Sequence, residues 1–287
     1  MTVYSSDSTS GIWTLNEARD AKYVDAWPGL FFSYGDWSLA SASHVGQDTS
    51  PTGNSSAFPF SRDGTKFYHA PYNTQTIYES DVSTAWDTST LSLVSGNTIA
   101  TGGSVFDTHI SYDGYNVYAC LYNTGIRQYT LSTAFDLSTA SLTTTLTSPT
   151  LVSNSVGGVY LSDDGTRMIV VEQATDTFSD YTLSTPWDLT TATKNGQLSI
   201  GAYDTHPRCV VVHPEGTTIF VQMTSSSTID EWSLTTPWTV SSGASYVREI
   251  SYSSDAGTSG MGLDVKRDGT RLYVGSYATV NIDYWSI

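Results

Sequence analysis

The chain repeats one pattern five times: an apolar strand, a tight turn centred on Asp-Gly or Glu-Gly, and a second apolar strand. The turns read SRDGT (61–65), SYDGY (111–115), SDDGT (162–166), HPEGT (213–217) and KRDGT (266–270). Their glycines are separated by 50, 51, 51 and 53 residues. Units of this length that begin with an antiparallel hairpin are typical of propeller blades, so the repeat predicts an all-β propeller.

The positions around each turn alternate as expected for strands. The fourth residue before each glycine is always apolar: Phe60, Ile110, Leu161, Val212 and Val265. The third and fourth residues after it, such as Phe67 and Tyr68, are both apolar, which indicates a strand buried on both sides between stacked blades. A third strand and a hydroxyl-rich fourth strand complete each predicted blade. Between them lie the tryptophan segments STAWD (83–87), STAFD (132–136), STPWD (184–188) and TTPWT (235–239).

The two ends of the chain complement each other. The fifth repeat stops at Ile287, directly after its third strand, whereas DWSLASASHVG (36–46) resembles a fourth strand that lacks the first three. Pairing of these two segments would close the ring and leave no sheet edge exposed. Residues 34 to 287 correspond to five units of about 51 residues. We therefore predict five blades, with six as the alternative if the leader contains a degenerate blade.

Residues 1–33 do not follow the repeat and form a separate predicted leader, with the propeller over 34–287. Thr14 and Glu17 form a capping-box signature, and helix-forming residues continue to Ala26 before Pro28. A helix this short must dock on something, either the flank of the propeller or another protein. Its candidate docking residues are Trp13, Leu15 and Trp27.

Composition argues against several classes of partner. The net charge of −16 would repel nucleic acid and anionic membranes. No apolar run reaches the roughly 18 residues that a membrane helix needs. The N-terminus lacks a basic segment followed by an apolar one, so no secretory signal is predicted. Cys120 and Cys209 occupy different repeats and different strand positions, and we expect both to be small buried hydrophobes rather than a disulfide.

Two sets of motifs carry a resemblance to known proteins. The segment GIWTLNEARDAKYVDAWPG (11–29) resembles a Gly-Val-Trp-Ser-Leu-Asn-Glu, Ala-Arg and Trp-Pro segment of structural and tail proteins of tailed bacteriophages, marine ones especially. The segments DGTKFY (63–68) and YTLSTPWDL (181–189) resemble tandem propeller-like repeats of the same phages and of marine bacteria. The resemblance covers nearly the whole chain. It implies a virion component, on a tail fibre or another appendage, and it brings no catalytic residues with it.

Departures from the repeat supply the candidate site residues. In FDTH (106–109) and YDTH (203–206) an Asp and a His share one face of a strand, where they could ligate a metal or only bond locally. The aromatic residues of the tryptophan segments either pack one blade on the next or stack on sugars. The candidate ligand-binding residues are Asp107, His109, Asp204, His206, Trp86, Trp187 and Trp238.

We predict no catalytic residues, no metal centre and no cofactor, although the Asp-rich turns could hold Ca²⁺ through loop oxygens. A glycosidase needs two converging carboxylates, for which Asp107, Asp204 and Asp264 are the candidates. No Ser-His-Asp elbow, phosphate-binding loop or Cys-His metal spacing occurs in the chain. The sequence therefore favours a protein that is not an enzyme.

The expected function is that of a structural protein of a tailed phage whose propeller binds a host-surface glycan. Its affinity would be multiplied by the number of copies on the particle. The expected partners are other virion proteins, through the leader, and the glycan; the expected location is the virion, outside the cell after host lysis. The alternatives are a purely architectural or decoration protein that binds only virion neighbours, and a propeller enzyme that degrades polysaccharide.

Overall fold

A computed structural model describes residues 34–53, 55–252, 260–276 and 280–287. These residues form five four-stranded antiparallel sheets, which are the blades of a propeller. The predicted five-bladed fold is confirmed, and the six-bladed alternative is not what the described residues form. The predicted leader helix, with Trp13, Leu15 and Trp27, lies outside the described residues.

The first strand of the described chain, β1 (Ser43–Thr49), belongs to the last blade. The first blade contains β2 (Ser55–Ser56), β3 (Lys66–Pro71), β4 (Thr76–Val82) and β5 (Leu91–Ala100). The second contains β6 (Val105–Ile110), β7 (Asn116–Leu121), β8 (Gly125–Leu131) and β9 (Ala140–Leu146). The third contains β10 (Val156–Leu161), β11 (Arg167–Glu172), β12 (Thr177–Leu183) and β13 (Ala192–Ser199). The fourth contains β14 (Pro207–Val212), β15 (Thr218–Met223), β16 (Thr228–Leu234) and β17 (Ala244–Ser251). The fifth contains β18 (Gly260–Val265), β19 (Arg271–Ser276), β20 (Asn281–Ser286) and β1.

The strand order places the first strand of each repeat at the axis. Strands β2, β6, β10, β14 and β18 contact one another around a central channel, and the fourth strand of each blade lies outermost. The described helices are short 3-10 turns, Leu39–Ser41, Thr88–Thr90, Leu137–Thr139 and Leu189–Thr191. Within the described ranges, then, no helix is long and apolar enough to span a membrane.

The ring closes as predicted, through the N-terminal strand. Strand β1 pairs antiparallel with β20, with Ser43 opposite Ser286 and Thr49 opposite Asn281. Trp37 lies over the turn glycine Gly269 of the fifth blade, as the tryptophan segments lie over the glycines of the other blades. The missing segment of the last repeat is therefore supplied from the beginning of the chain. The strand itself begins at Ser43 and extends to Thr49, three residues beyond the predicted segment.

The core lies between the blades rather than in one central mass. One apolar cluster packs the second blade against the third and includes Tyr118, Val159 and Val170, all with an exposed fraction of 1% or less. Clusters of the same kind fill the other seams between blades. Cys120 and Cys209 are buried and free, which confirms the prediction that they are unbridged hydrophobes.

Candidate functional site

The connections between strands define two faces of the propeller. The turn face carries the Asp-Gly turns and the tryptophan segments. The loop face carries the turns between second and third strands and the connections from each blade to the next. The described chain enters at Tyr34 on the turn face, where the Arg267 guanidinium donates a hydrogen bond to the Tyr34 hydroxyl at 3.1 Å. The loop face is therefore the one opposite to the point of entry.

The three predicted tryptophans lie on the turn face. Trp86, Trp187 and Trp238 have positive φ values of 67°, 67° and 60°, and each backbone N–H donates to the carbonyl oxygen of its turn glycine at 2.9 or 3.0 Å. A Cβ atom on Gly165 would lie 2.3 Å from the indole of Trp187, so the ring packs directly on the turn. This packing accounts for the recurrence of the aromatic residue. Trp86 also lines an open cavity of about 650 Å³ between the fifth and first blades.

The predicted pair Asp107 and His109 lies on the inner strand β6. Asp107 is buried, and its carboxylate accepts hydrogen bonds from the N–H groups of Thr108 at 2.9 Å and Val159 at 3.3 Å. Burial raises the pKa of Asp107 well above its usual range. Val159 belongs to β10 of the next blade, so the carboxyl group satisfies a backbone donor on a neighbouring inner strand.

His109 lies close to the same channel. Its ring packs 4.5 Å from that of Tyr160, and its Nε2 atom is buried without a hydrogen-bond partner among the described residues. Burial lowers the pKa of His109 to about 3, so the ring is neutral at pH 7. The arrangement places it against aromatic side chains rather than beside Asp107 as a second metal ligand.

Asp264 repeats the role of Asp107 at another seam. Its carboxylate accepts from the N–H groups of Phe60 and Val265, both at 2.8 Å, and Phe60 belongs to the next blade. Burial raises the pKa of Asp264 to about 7. Asp204, the third candidate carboxylate, lies on the loop face. Asp204 therefore does not meet the other two, whereas the charge of Asp264 adds to the effect of burial on the pKa of Asp107.

The second predicted pair, Asp204 and His206, shapes the loop between β13 and β14. Asp204 accepts hydrogen bonds from the Thr205 N–H at 2.6 Å and from the Ser226 hydroxyl. His206 has a φ of 63°, and its N–H donates to Asp176 at 2.7 Å. The two Asp-His pairs lie in different parts of the fold. In the part of the chain that the structure describes, no three His, Cys, Asp or Glu side chains come together in a way that could hold a metal ion.

Sequence reasoning missed the most unusual group on the loop face, which we call the Arg208 cluster: Tyr72, Phe106, Tyr122 and Arg208. The guanidinium carbon of Arg208 lies 3.8 Å from the centre of the Phe106 ring. Tyr72 stacks parallel to Phe106 at 5.7 Å, and Tyr122, 49% exposed, lies 5.4 Å from it. These side chains come from the first, second and fourth blades and meet at the loop-face end of the channel. Their only sequence signal is that Tyr72 and Tyr122 occupy equivalent turns of adjacent repeats.

A second exposed aromatic group lies on the flank of the fourth blade. Tyr203, 60% exposed, stacks on Tyr246 at 5.2 Å and meets Trp232 edge to face at 5.0 Å. Burial of Asp230 nearby, together with the charge of Asp204, raises the pKa of its carboxyl group to about 7. This flank is therefore aromatic and weakly acidic, in contrast to the Arg208 cluster.

The opposite mouth of the channel is closed by a bridge across the axis. Arg267 pairs with Asp163, with one nitrogen-oxygen distance of 3.0 Å, and its guanidinium stacks over Tyr112 at 4.6 Å. Burial alone would lower the pKa of Arg267, but the hydrogen bond and charge of Asp163 raise it above its usual value. A cavity of about 70 Å³ lies beneath, lined by His109, Tyr160 and Asp264 among others. The turn-face mouth is thus occupied by an internal ion pair.

Comparisons with known proteins identify a fold but no family. No protein-family model matches the chain, and no curated protein matches it either. Several solved structures do match the chain. One is a protein of unknown function from Desulfotomaculum acetoxidans, with 14% identity and a TM-score of 0.47 over 77% of this chain and 62% of that one. A proposed 6-phosphogluconolactonase from Bacteroides fragilis matches with 15% identity and a TM-score of 0.48, over 72% of this chain and 59% of that one. The periplasmic gluconolactonase of Pseudomonas aeruginosa matches with 14% identity and a TM-score of 0.46, over 69% of this chain and 54% of that one. The chain spans less than two thirds of each of these proteins.

These matches correct one prediction from the sequence. The chain was expected not to be an enzyme, yet structures with a similar arrangement of blades are named as lactonases. At identities of 14 to 15% the likeness shows the fold alone and assigns no activity to this chain.

Proposed function

We propose that the protein is a virion component of a tailed phage whose propeller binds a saccharide on the host surface through its loop face. The observation that carries this proposal is the Arg208 cluster, an aromatic group that lies on the face opposite to the entry of the chain at Tyr34. A leader that holds the propeller to a particle from the turn face would leave the loop face directed outward.

The chemistry of the loop face suits a saccharide. Tyr122 presents an exposed ring that can stack on the apolar face of a sugar, and its hydroxyl can bond to sugar hydroxyls. Loop-face connections around it are rich in hydroxyl and amide side chains, as in YNT (122–124) and TSSST (224–228). Individually weak contacts of this kind become effective when many copies act together on one particle.

The assignment to a virion is supported by the resemblance of the leader and of the repeats to phage structural proteins. The strongly negative net charge also argues against nucleic acid as the partner. A purely architectural role and a polysaccharide-degrading activity are the other outcomes that an experiment has to distinguish.

The test compares two tyrosines of the second blade on opposite faces. The labelled full-length chain is applied to an array of bacterial surface polysaccharides, together with Tyr122→Ala and Tyr115→Ala variants. Tyr122 is 49% exposed on the loop face and Tyr115 is 45% exposed in the Asp-Gly turn, so the two changes remove the same group from opposite faces. We expect Tyr122→Ala to weaken binding about tenfold, equivalent to about 1.4 kcal/mol, and Tyr115→Ala to leave it unchanged.

Three other results of this experiment would each indicate a different role for the propeller. Absence of binding to any polysaccharide would favour the architectural role. Equal losses from both variants would contradict recognition by the loop face. Release of reducing sugar from a bound polysaccharide, measured on the same samples, would make the protein a degrading enzyme.

A further inference from the structure

Arg208 stands out because its positive charge has no carboxylate partner among the described residues. Its Nε and Nη1 atoms are buried and make no hydrogen bond there. Burial lowers the pKa of Arg208, and the nearby groups that most influence it are Cys209, Tyr72, Tyr122 and Tyr252, none of which is a carboxylate. The guanidinium therefore lies in a partly desolvated position, packed against the Phe106 ring.

Three other cations of the described chain have carboxylate partners. Arg267 pairs with Asp163, Arg248 pairs with Glu231 at 3.3 Å, and Lys66 contacts a buried glutamate at 2.6 Å. The chain has 28 acidic and 12 basic residues, so carboxylates are not scarce. A desolvated charge without a counter-ion is costly, by several kcal/mol in a dry environment. At Arg208 the described part of the fold leaves the counter-ion to be supplied from outside.

We propose that the Arg208 cluster binds the carboxylate of an acidic saccharide, such as a uronate unit of a cell-surface polysaccharide. This inference rests on the proposed function and names its ligand class. The Phe106 ring packs against the guanidinium, and a carboxylate that reaches Arg208 would supply the counter-charge and the acceptor that the described residues do not provide. Tyr122 then stands beside the bound group, where its exposed ring can stack on the sugar that bears it.

A carboxylate fits this cluster better than a doubly charged group. The cluster contains one cation, Arg208, and the molecule carries a net charge of −16. A phosphate monoester brings nearly two negative charges and would normally be met by more than one cation. The one positive charge of Arg208 is balanced by the one negative charge of a carboxylate.

The test uses pairs of ligands that differ only in the carboxylate. The full-length chain is titrated with polyuronates (polygalacturonate, polymannuronate and hyaluronate) and with the carboxyl-reduced form of each. We expect at least one polyuronate to bind ten times more tightly than its reduced form. Arg208→Gln should abolish that difference, and Arg208→Lys should restore part of it. Arg167→Gln, which removes an exposed arginine of the turn-face end of β11, should behave like the unchanged protein.

The remaining outcomes separate this inference from the proposed function. Equal binding of acidic and reduced forms would overturn the role of the carboxylate while leaving saccharide binding intact. Preference for sulfated over carboxylated saccharides would overturn the assignment of the anion. Failure of every saccharide to bind would contradict the proposed function and, with it, this inference. Thermal unfolding of each variant shows whether a loss reflects the site or the fold.

Discussion

At the scale of the residue, the repeat is held together by a glycine and an aromatic ring that require each other. Gly165 has a φ of 69° and lies under the indole of Trp187, whose own φ of 67° is held by a hydrogen bond to the Gly165 carbonyl at 3.0 Å. The same φ and hydrogen bond recur at Trp86, Phe135 and Trp238, and in the fifth blade Trp37 supplies the packed ring alone. Two unfavourable backbone conformations are thus stabilised by one packed contact. The regular aromatic residue is a structural element of the blade rather than a row of ligand platforms.

The contact between Gly165 and Trp187 predicts that one added methyl group at Gly165 strongly lowers the stability of the protein. Gly165→Ala should destabilise the protein by about 2 to 4 kcal/mol, because it adds a left-handed alanine and an overlap with the Trp187 ring. The matched control is Gly96→Ala, where φ is 89° but no atom lies within 4 Å of the new Cβ. The free energy of unfolding of that variant should fall only by the cost of a left-handed alanine backbone, about 1 kcal/mol. Urea unfolding measures both, and equal losses would show that the ring contact contributes nothing.

At the scale of the element, neighbouring blades are joined by a buried polar side chain on the third strand. Four blades carry one at the equivalent position: Glu79, Gln128, Asp180 and Glu231. Each accepts a hydrogen bond from a backbone N–H of the next blade, for example Leu189 at 3.0 Å and Leu39 at 2.8 Å. The fifth blade has Tyr284 at this position, and its seam with the first blade contains the 650 Å³ cavity. In a sequence, a polar residue on a strand predicts a solvent-exposed position, so these hydrogen bonds between blades were not predicted.

Loss of one such link should weaken the ring without unfolding it. Gln128 accepts from Leu189 N–H and donates to the Trp187 carbonyl at 2.7 Å. Gln128→Leu should cost about 1 to 3 kcal/mol, because the Leu189 N–H remains buried without an acceptor, whereas the Trp187 carbonyl keeps its hydrogen bond from the Tyr118 hydroxyl. Gln197→Leu, on the exposed face of β13, should change stability by no more than about 0.5 kcal/mol. Calorimetric midpoints compare the two, and a stable Gln128→Leu protein would argue against the link.

At the scale of the whole molecule, the ring depends on an N-terminal strand that joins the last blade. Strand β1 covers the edge of β20, and Trp37 covers the last turn. Removal of the chain through residue 46 would expose β20 as an unpaired edge, which promotes aggregation.

Two truncations test this closure. A chain that begins at residue 31 should keep the thermal midpoint of the full-length protein, whereas one that begins at residue 47 should aggregate or melt far below it. Size-exclusion chromatography and thermal unfolding give the comparison. An equally stable, monomeric product from the longer truncation would contradict closure by the N-terminal strand.

The sequence by itself determined the local and periodic part of this protein. Apolar alternation around Gly64 and its four equivalents gave the hairpins, the spacing gave five blades, and the mismatch between the two chain ends gave the closure. These features follow from near-neighbour rules, because turn chemistry and strand burial depend on residues close in the chain. Asp107 and His109 were singled out as departures from the repeat, but their position in the channel was not predictable from spacing.

Only the tertiary structure decided which distant residues meet. Tyr72, Phe106, Tyr122 and Arg208 come from three blades and are separated by up to 136 positions, yet they form one cluster at the mouth of the channel. Closing five twisted sheets into a ring brings the same end of every inner strand to one axis, and no local pattern encodes that convergence. The same closure buried Asp107 and Asp264 as acceptors for neighbouring strands. Residue types fixed the blades, and the geometry of the ring fixed the site.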